Sequence, residues 1–410
     1  MLNLNRLWRG EGELRAGAAD LGDRLRYQAQ SQDNPQGTRP GWGPVVVWNL
    51  TQRCNLACRH CYAGTEAGAM RPWPGPNTAE ARAIIDQLAD FRVPVILFSG
   101  GEPLTRPDLL ELASYAVGRG LHVTISTNGT LITEEMAQAF KEVGIGYVGV
   151  SLDGLEATND FFRGTPGAFA AALEGIRHCL EAGQRVGLRF TLTRYNYADL
   201  PGIFALVEAE GIPRVCFYHL VYSGRGSHLR EQDLSAAETR RAVDLIWEWA
   251  VKGEQSGQER EVLLVDNHAD AVYLYLKLKA SYPERAERAL PLLCRNGGNR
   301  SGMAIACIDW EGNVHPDQFT MNHTLGNIKQ KPFGEIWSGN HPLLVGLRDR
   351  KPRLRGRCGR CRWLFLCNGN FRARAEAATG DFWESDPACY LTDEEIGLKE
   401  RRGSDDGCEL

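Results

Sequence analysis

The sequence predicts an α/β protein: a partial (β/α)6 barrel that stays open, followed by a smaller cysteine-rich domain. Three observations carry this expectation. Short β-branched runs alternate with stretches of helical periodicity six times between residue 45 and about 252. The strand runs are continuously apolar, as in parallel sheets covered by helices. Polar or glycine-rich sets repeatedly follow the strands, at the end where TIM-like barrels keep their functional groups.

The expected strands cover residues 45–50, 93–98, 122–126, 147–152, 186–192 and 215–220. Helices begin near Thr78, Asp108, Thr133, Ala168, Asp199 and Ser235. Asn77 with Glu80 three residues later reads as a capping box, and Pro72, Pro74 and Pro76 break the chain before it. Residues 1–44 are polar and rich in Arg and Gly, too short for a typical independent domain. They read as an arm packed on the barrel or covering its site. Residues 253–293 connect, with a helix over 269–280. Residues 294–395 shift to Gly, Asn, Arg and Cys, and 396–410 read as a charged, frayed tail.

The chain has 410 residues, 43% hydrophobic and 24% charged, which suits a soluble globular enzyme. A net charge of -4 argues against broad nucleic-acid binding. No apolar run approaches the roughly 20 residues of a membrane helix.

Directly after the first strand run come Cys54, Cys58 and Cys61, spaced C-x3-C-x2-C. Three thiolates on one short loop can hold three irons of a [4Fe-4S] cube and leave the fourth open. An open metal position means chemistry rather than scaffolding. A zinc site is the weaker alternative, since His60 is the one nearby fourth ligand and adjoins Cys61. A disulfide fits less well still. The sequence shows no signal peptide, and the expected location is the reducing cytoplasm.

The remaining strand ends carry Ser99-Gly100-Gly101-Glu102-Pro103, Thr127-Asn128-Gly129, Asp153-Gly154, and His219 leading to Gly224-Arg225-Gly226. Each alone is an ordinary turn. Five such sets on one rim, the cysteine loop included, point to a site.

In this order and on these strands, Cys54 to Tyr62, Gly100 to Pro103, Ser126 to Gly129 and Ser151 to Gly154 resemble the radical S-adenosylmethionine (SAM) enzymes. The resemblance implies that SAM chelates the open iron, and that one electron cleaves it to methionine and a 5′-deoxyadenosyl radical. It also implies roles. Gly100, Gly101 and Glu102 hold the methionine amino group. Ser151 and Arg163 meet the SAM carboxylate, for which a guanidinium fork is suited. Asn128 and Asp153 serve the ribose or nearby polar contacts, and backbone beside Tyr62 meets the adenine.

Further on, Cys358-x2-Cys361-x5-Cys367 followed by Cys389 resembles the SPASM-type auxiliary-cluster domain. The family pattern often has a cysteine four residues after the third, where this chain has Phe371. The resemblance therefore implies one auxiliary [4Fe-4S] cluster, two in all, on Cys358, Cys361, Cys367 and Cys389. Structural zinc is the alternative there. Cys179, Cys216 and Cys408 read as unligated thiols, with Cys294 and Cys307 undecided.

The run from Cys216 through His219 to Gly226, Val265 to Asp270, Gly312 to Phe319 and Gly356 to Leu364 resembles the tetrapyrrole-modifying branch of that family. One line of the branch removes the two acetate side chains of 12,18-didecarboxysiroheme to give iron-coproporphyrin III. Another removes propionates on the way to haem d1. The run from Cys216 to Gly226 favours the first. The implied partners are an iron tetrapyrrole and an electron donor such as a flavodoxin or ferredoxin. On the residues alone, Arg189, Arg194 and Arg225 are candidate carboxylate clamps. His219, His268 and His315 are candidate iron ligands or proton donors, though the ordinary reading of each is a hydrogen-bonded residue. Tyr218, Tyr222 and Tyr273 suit a flat apolar wall. A SPASM-type peptide maturase is the alternative enzyme, and 44 residues are few for its usual peptide-recognition domain. A non-catalytic iron–sulfur carrier would not need the SAM-binding rim.

Overall fold

The computed structural model describes residues 1–10, 21–27, 36–64, 75–258 and 260–398. The rest of the arm, Pro72, Pro74 and the tail beyond residue 398, with Cys408, lie outside the described residues. In chain order the strands are β1 Leu2–Asn3, β2 Val45–Asn49, β3 Val95–Ser99, β4 His122–Thr127, β5 Tyr147–Ser151 and β6 Val186–Leu192. There follow β7 Arg214–His219, β8 Glu261–Val265, β9 Ile305–Ile308, β10 Asn313–His315 and β11 Gly326–Asn327. The six expected strands are present within two residues of their expected bounds.

They form one eleven-stranded sheet in the order β1-β8-β7-β6-β5-β4-β3-β2-β9-β10-β11. From β9 through β2 to β8 every pairing is parallel. Antiparallel β1 and the β10–β11 pair finish the two edges. The sheet thus continues across both expected boundaries of the connecting segment. β8 lies inside that segment, β9 lies in the cysteine-rich part, and the arm contributes β1. The two-residue β1 and four-residue β9 are set by their partners, while β8 lies beyond the sixth strand–helix repeat.

Side chains alternate between two environments, as a pleated strand requires. Val46, Trp48, Ile96 and Phe98 join the main core with Ile84, Ile85 and Leu88 of the helix Thr78–Asp90. Val45, Val47, Val95, Leu97, Cys216 and Tyr218 instead line the barrel interior. The expected capping box starts that helix, with Asn77 and Glu80 exchanging both hydrogen bonds. The helix Glu156–Arg163, not expected from the sequence, fills the turn after β5 and delivers Arg163 to the rim.

A buried ion pair inside the cysteine-rich unit supports one of its contacts with the barrel. Arg374 and Asp386 are fully buried and 2.9 Å apart, and Arg374 also donates to the carbonyl of Leu220 just past β7. Ile396 is buried, so the expected frayed tail does not begin there.

Candidate active site

The register of the sheet brings one polar residue after another to the C-terminal rim. Asn49 sits opposite Ser99, and Ser151 opposite Arg189. A cavity of about 170 Å³ opens there, lined by Cys54, Cys58, Cys61, Gly100, Gly101, Asn128, Ser151 and Arg163 among others. The cysteine loop is pinned to the next strand end. Gly101 N–H donates to the carbonyl of Thr51, and Glu102 N–H to that of Arg53. A Cβ on Gly100 would stand 2.5 Å from the Thr51 oxygen, at φ +132°, so only glycine allows this approach.

Burial pushes the Cys54 thiol up to about 12. Burial raises Cys58 too, although Arg163 pulls it down. These thiols keep their protons until a metal displaces them, as iron ligation does outright. Three sulfurs on one wall of a rim cavity fit a cluster with one open iron.

The side chains of several rim residues are held by partners within the protein. The Glu102 carboxylate does not face the cavity. It accepts from Leu104 N–H, the Thr127 hydroxyl and Asn128 N–H, and so holds the β4 loop in place. Asp153 is fully buried and likewise lines no described cavity. It is gripped by Arg163, by His60 at 3.1 Å and by the Thr191 N–H. Burial would raise its pKa, but Arg163 and His60 outweigh it and hold Asp153 down at about 2. Arg163 reaches Cys58 Sγ at 3.5 Å as well as Asp153, so its fork is occupied from behind. The Tyr62 hydroxyl donates to Asn49 Oδ1 and lies 2.9 Å from Ser99 Oγ, and its ring meets Phe319 edge-on.

A second cavity, about 320 Å³, fills the barrel interior. It shares Val47, Leu97, Arg189, Tyr218, Asp266 and Gln318 with the rim cavity, so the two adjoin. Arg189 stands at the junction, held by the Tyr218 and Ser126 hydroxyls.

The expected substrate residues divide. His219 faces the rim cavity, its Nε2 3.0 Å from Asp270, which in turn accepts from the Tyr390 hydroxyl. His268 faces the interior cavity. Arg225 lines the rim, but its N–H groups bind the carbonyls of Cys58 and Cys61 and brace the cysteine loop. His315 is a correction: it is 1% exposed, tied to Asp309 and the His323 carbonyl, and lines neither cavity. Arg194 is likewise displaced, half-exposed and paired with Glu238. Tyr273 bonds Asp244 outside the cavities. Asp270 was marked only as the end of the run from Val265, and Tyr390 escaped notice, because their roles depend on contacts across 51 and 120 residues of sequence.

Cys358, Cys361, Cys367 and Cys389 converge on one small buried cavity with Asn370 and Asp386. Cys294 is exposed and Cys307 is buried on β9, both away from this set. Phe371 stacks on His268 and packs with Val221 and Phe319. Four cysteines lining one cavity can supply the four thiolates of a cubane.

The radical SAM superfamily model matches residues 48–207, and that of an iron–sulfur cluster-binding domain, SPASM, matches 300–362. This chain belongs to the radical SAM family, and the two domains imply [4Fe-4S] clusters with SAM as cosubstrate. Within that family it is 52% identical to Fe-coproporphyrin III synthase of Methanosarcina barkeri, over 95% of this chain and 99% of the other. It is 45% identical to pre-heme d1 synthase of Dinoroseobacter shibae, over 86% and 88% of the two chains. Its backbone follows Streptococcus suis SuiB bound to S-adenosylmethionine with a TM-score of 0.64 at 19% identity, over 86% and 78% of the chains, a likeness of fold.

Proposed function

We propose that this protein removes the two acetate side chains of 12,18-didecarboxysiroheme to give iron-coproporphyrin III. The observation that carries the reading is the paired cavity: a rim cavity with three cysteines and several polar side chains adjoins a largely apolar chamber, with the half-buried guanidinium of Arg189 at the junction. That suits a flat apolar molecule bearing carboxylates. Identity of 52% across nearly all of a protein named Fe-coproporphyrin III synthase supports it.

In this reading Cys54, Cys58 and Cys61 hold the cluster that leaves one iron open, and Cys358, Cys361, Cys367 and Cys389 hold the auxiliary cluster. When bound and reduced, the first cluster with SAM supplies a 5′-deoxyadenosyl radical. The chain's own residues set the stage for it. Gly100, Gly101, Asn128 and Ser151 offer polar contacts to SAM from the rim. Arg163 is held by Asp153, while Glu102 fixes the loop that carries Asn128. Arg225 keeps the cysteine loop closed against the strand. Electrons come from a donor such as a flavodoxin or ferredoxin, in the cytoplasm, where thiols stay reduced. Nothing in the reading calls on nucleic acid or a membrane. No helix among the described residues is long and apolar enough to cross one.

The second reading, removal of propionates on the haem d1 route, is favoured by the 45% identity to pre-heme d1 synthase. Anaerobic turnover of 12,18-didecarboxysiroheme separates the two. Loss of acetates supports the first, and loss of propionates replaces it with the second.

A further inference from the structure

Three histidines compete for the iron of a tetrapyrrole, and the structure treats them differently. His315 has both ring nitrogens engaged, with Asp309 and the His323 carbonyl, and lines neither cavity. His219 faces the rim cavity, but its Nε2 is committed to Asp270. That leaves Nδ1, which sits beside the side chain's own Cβ. A flat macrocycle bound there would collide with the residue that holds it.

His268 differs on each count. Its ring faces the interior cavity of about 320 Å³. Among the described residues no hydrogen-bond partner meets either ring nitrogen, so Nε2, the nitrogen that projects away from the backbone, is available. The residue is nonetheless fixed. Its backbone N–H donates to Asn370 Oδ1 at 2.8 Å, and its ring stacks on Phe371 with centroids 5.6 Å apart and planes 18° from parallel. An imidazole held rigidly without a hydrogen bond at its reactive end is what a metal carried in by a ligand requires.

We propose that His268 ligates the iron of the tetrapyrrole substrate through Nε2, seating the macrocycle in the interior cavity. This deepens the proposed function and rests on it. The Nε2 lone pair takes an axial position on the iron, a water leaves, and no electron is transferred. Burial, followed by the positive charges of the chain's amino terminus and Arg374, holds the imidazole well below its ordinary value. The ring is therefore neutral at pH 7, the form that binds metals. Phe371 gains a meaning in this arrangement. It occupies the position of a cysteine in the related pattern and serves as the plate on which the ligand rests.

The test titrates anaerobically reconstituted holoenzyme with ferric iron-coproporphyrin III and with metal-free coproporphyrin III. Absorbance and EPR are read on wild type, His268→Ala, His268→Gln and His219→Gln. In the wild type and His219→Gln, the iron form shows a Soret shift and an imidazole-ligated iron signal. In both His268 variants the shift and signal are lost, the metal-free form binds with unchanged affinity, and added imidazole restores the shift in His268→Ala. A His268 variant that keeps the shift without imidazole, or a His219→Gln protein that loses it, overturns the assignment. A wild type that binds neither macrocycle overturns the proposed function itself, and the assignment with it.

Discussion

Arg163 joins Cys58 to Asp153: one guanidinium nitrogen lies 3.5 Å from Cys58 Sγ while another donates to the buried Asp153 carboxylate. A positive charge is thereby fixed beside a sulfur that the proposed function gives to the open cluster. Because His60 also binds Asp153, the carboxylate acts as the anchor of this corner.

Replacing Arg163 with Ala leaves Asp153 charged, buried and short of its main partner. The expected loss is about 3–5 kcal/mol of stability, the range for breaking a buried pair from one side. The double variant Arg163→Ala/Asp153→Asn should lose less than the sum of the singles, since the two are coupled. Thermal unfolding reads both. The cluster's reduction potential should also fall in Arg163→Ala, as loss of a nearby cation disfavours the added electron.

Reconstituted wild type should carry about eight iron and eight sulfide per chain, from two cubane clusters. Changing Cys54, Cys58 and Cys61 together to Ala should halve both and abolish 5′-deoxyadenosine formation. A triple variant that still cleaves SAM would refute the location of the open cluster.

At the other end, Cys389→Ala should cost the auxiliary cluster and leave about four iron per chain. Metal binding is coupled to folding, so amide exchange should speed up from residue 358 to 398 while the barrel strands stay protected. Stoichiometric zinc in anaerobically prepared protein would contradict the cluster reading of these four cysteines.

Glu102 gives a pH dependence with a definite sign. Burial raises it to about 7, against the pull of Asn128 N–H and the Thr127 hydroxyl. Its folded value lies above the ordinary 4.5, so the folded state holds the proton more tightly. The stability this contributes is present below about pH 4.5 and is lost as the pH rises through about 7. Across that window the stability difference between wild type and Glu102→Gln should change by about 3 kcal/mol. Denaturant unfolding at several pH values measures it, and a constant difference would show that Glu102 titrates normally.

How much of this was legible beforehand varies by residue. The strand–helix repeat placed β2 to β7, and the cysteine spacing with Gly100 to Glu102 marked the rim, because local pattern and turn chemistry encode them. β1, of two residues, and β9, of four, were not legible because so short a run takes strand form only through its neighbours, while β8 is as long as β2, β3 and β5 and was missed because it falls after the sixth strand–helix repeat. The resemblance to the SPASM-type domain implied that Cys358, Cys361, Cys367 and Cys389 would share a site, and the four line one cavity. Sequence could not rank the three histidines. His315 and His268 look alike in a string of letters, and only their partners separate them: Asp309 and a carbonyl for one, an aromatic plate and open space for the other. The same holds for Arg225, whose N–H groups turn out to brace the cysteine loop.

The most direct test of the central claim is the product mass after anaerobic incubation with SAM, dithionite and 12,18-didecarboxysiroheme, read alongside 5′-deoxyadenosine. The account predicts iron-coproporphyrin III, formed by loss of both acetates, with 5′-deoxyadenosine rising in step and neither appearing in the Cys54, Cys58 and Cys61 variant. An unchanged tetrapyrrole mass while the wild type continues to cleave SAM would contradict it.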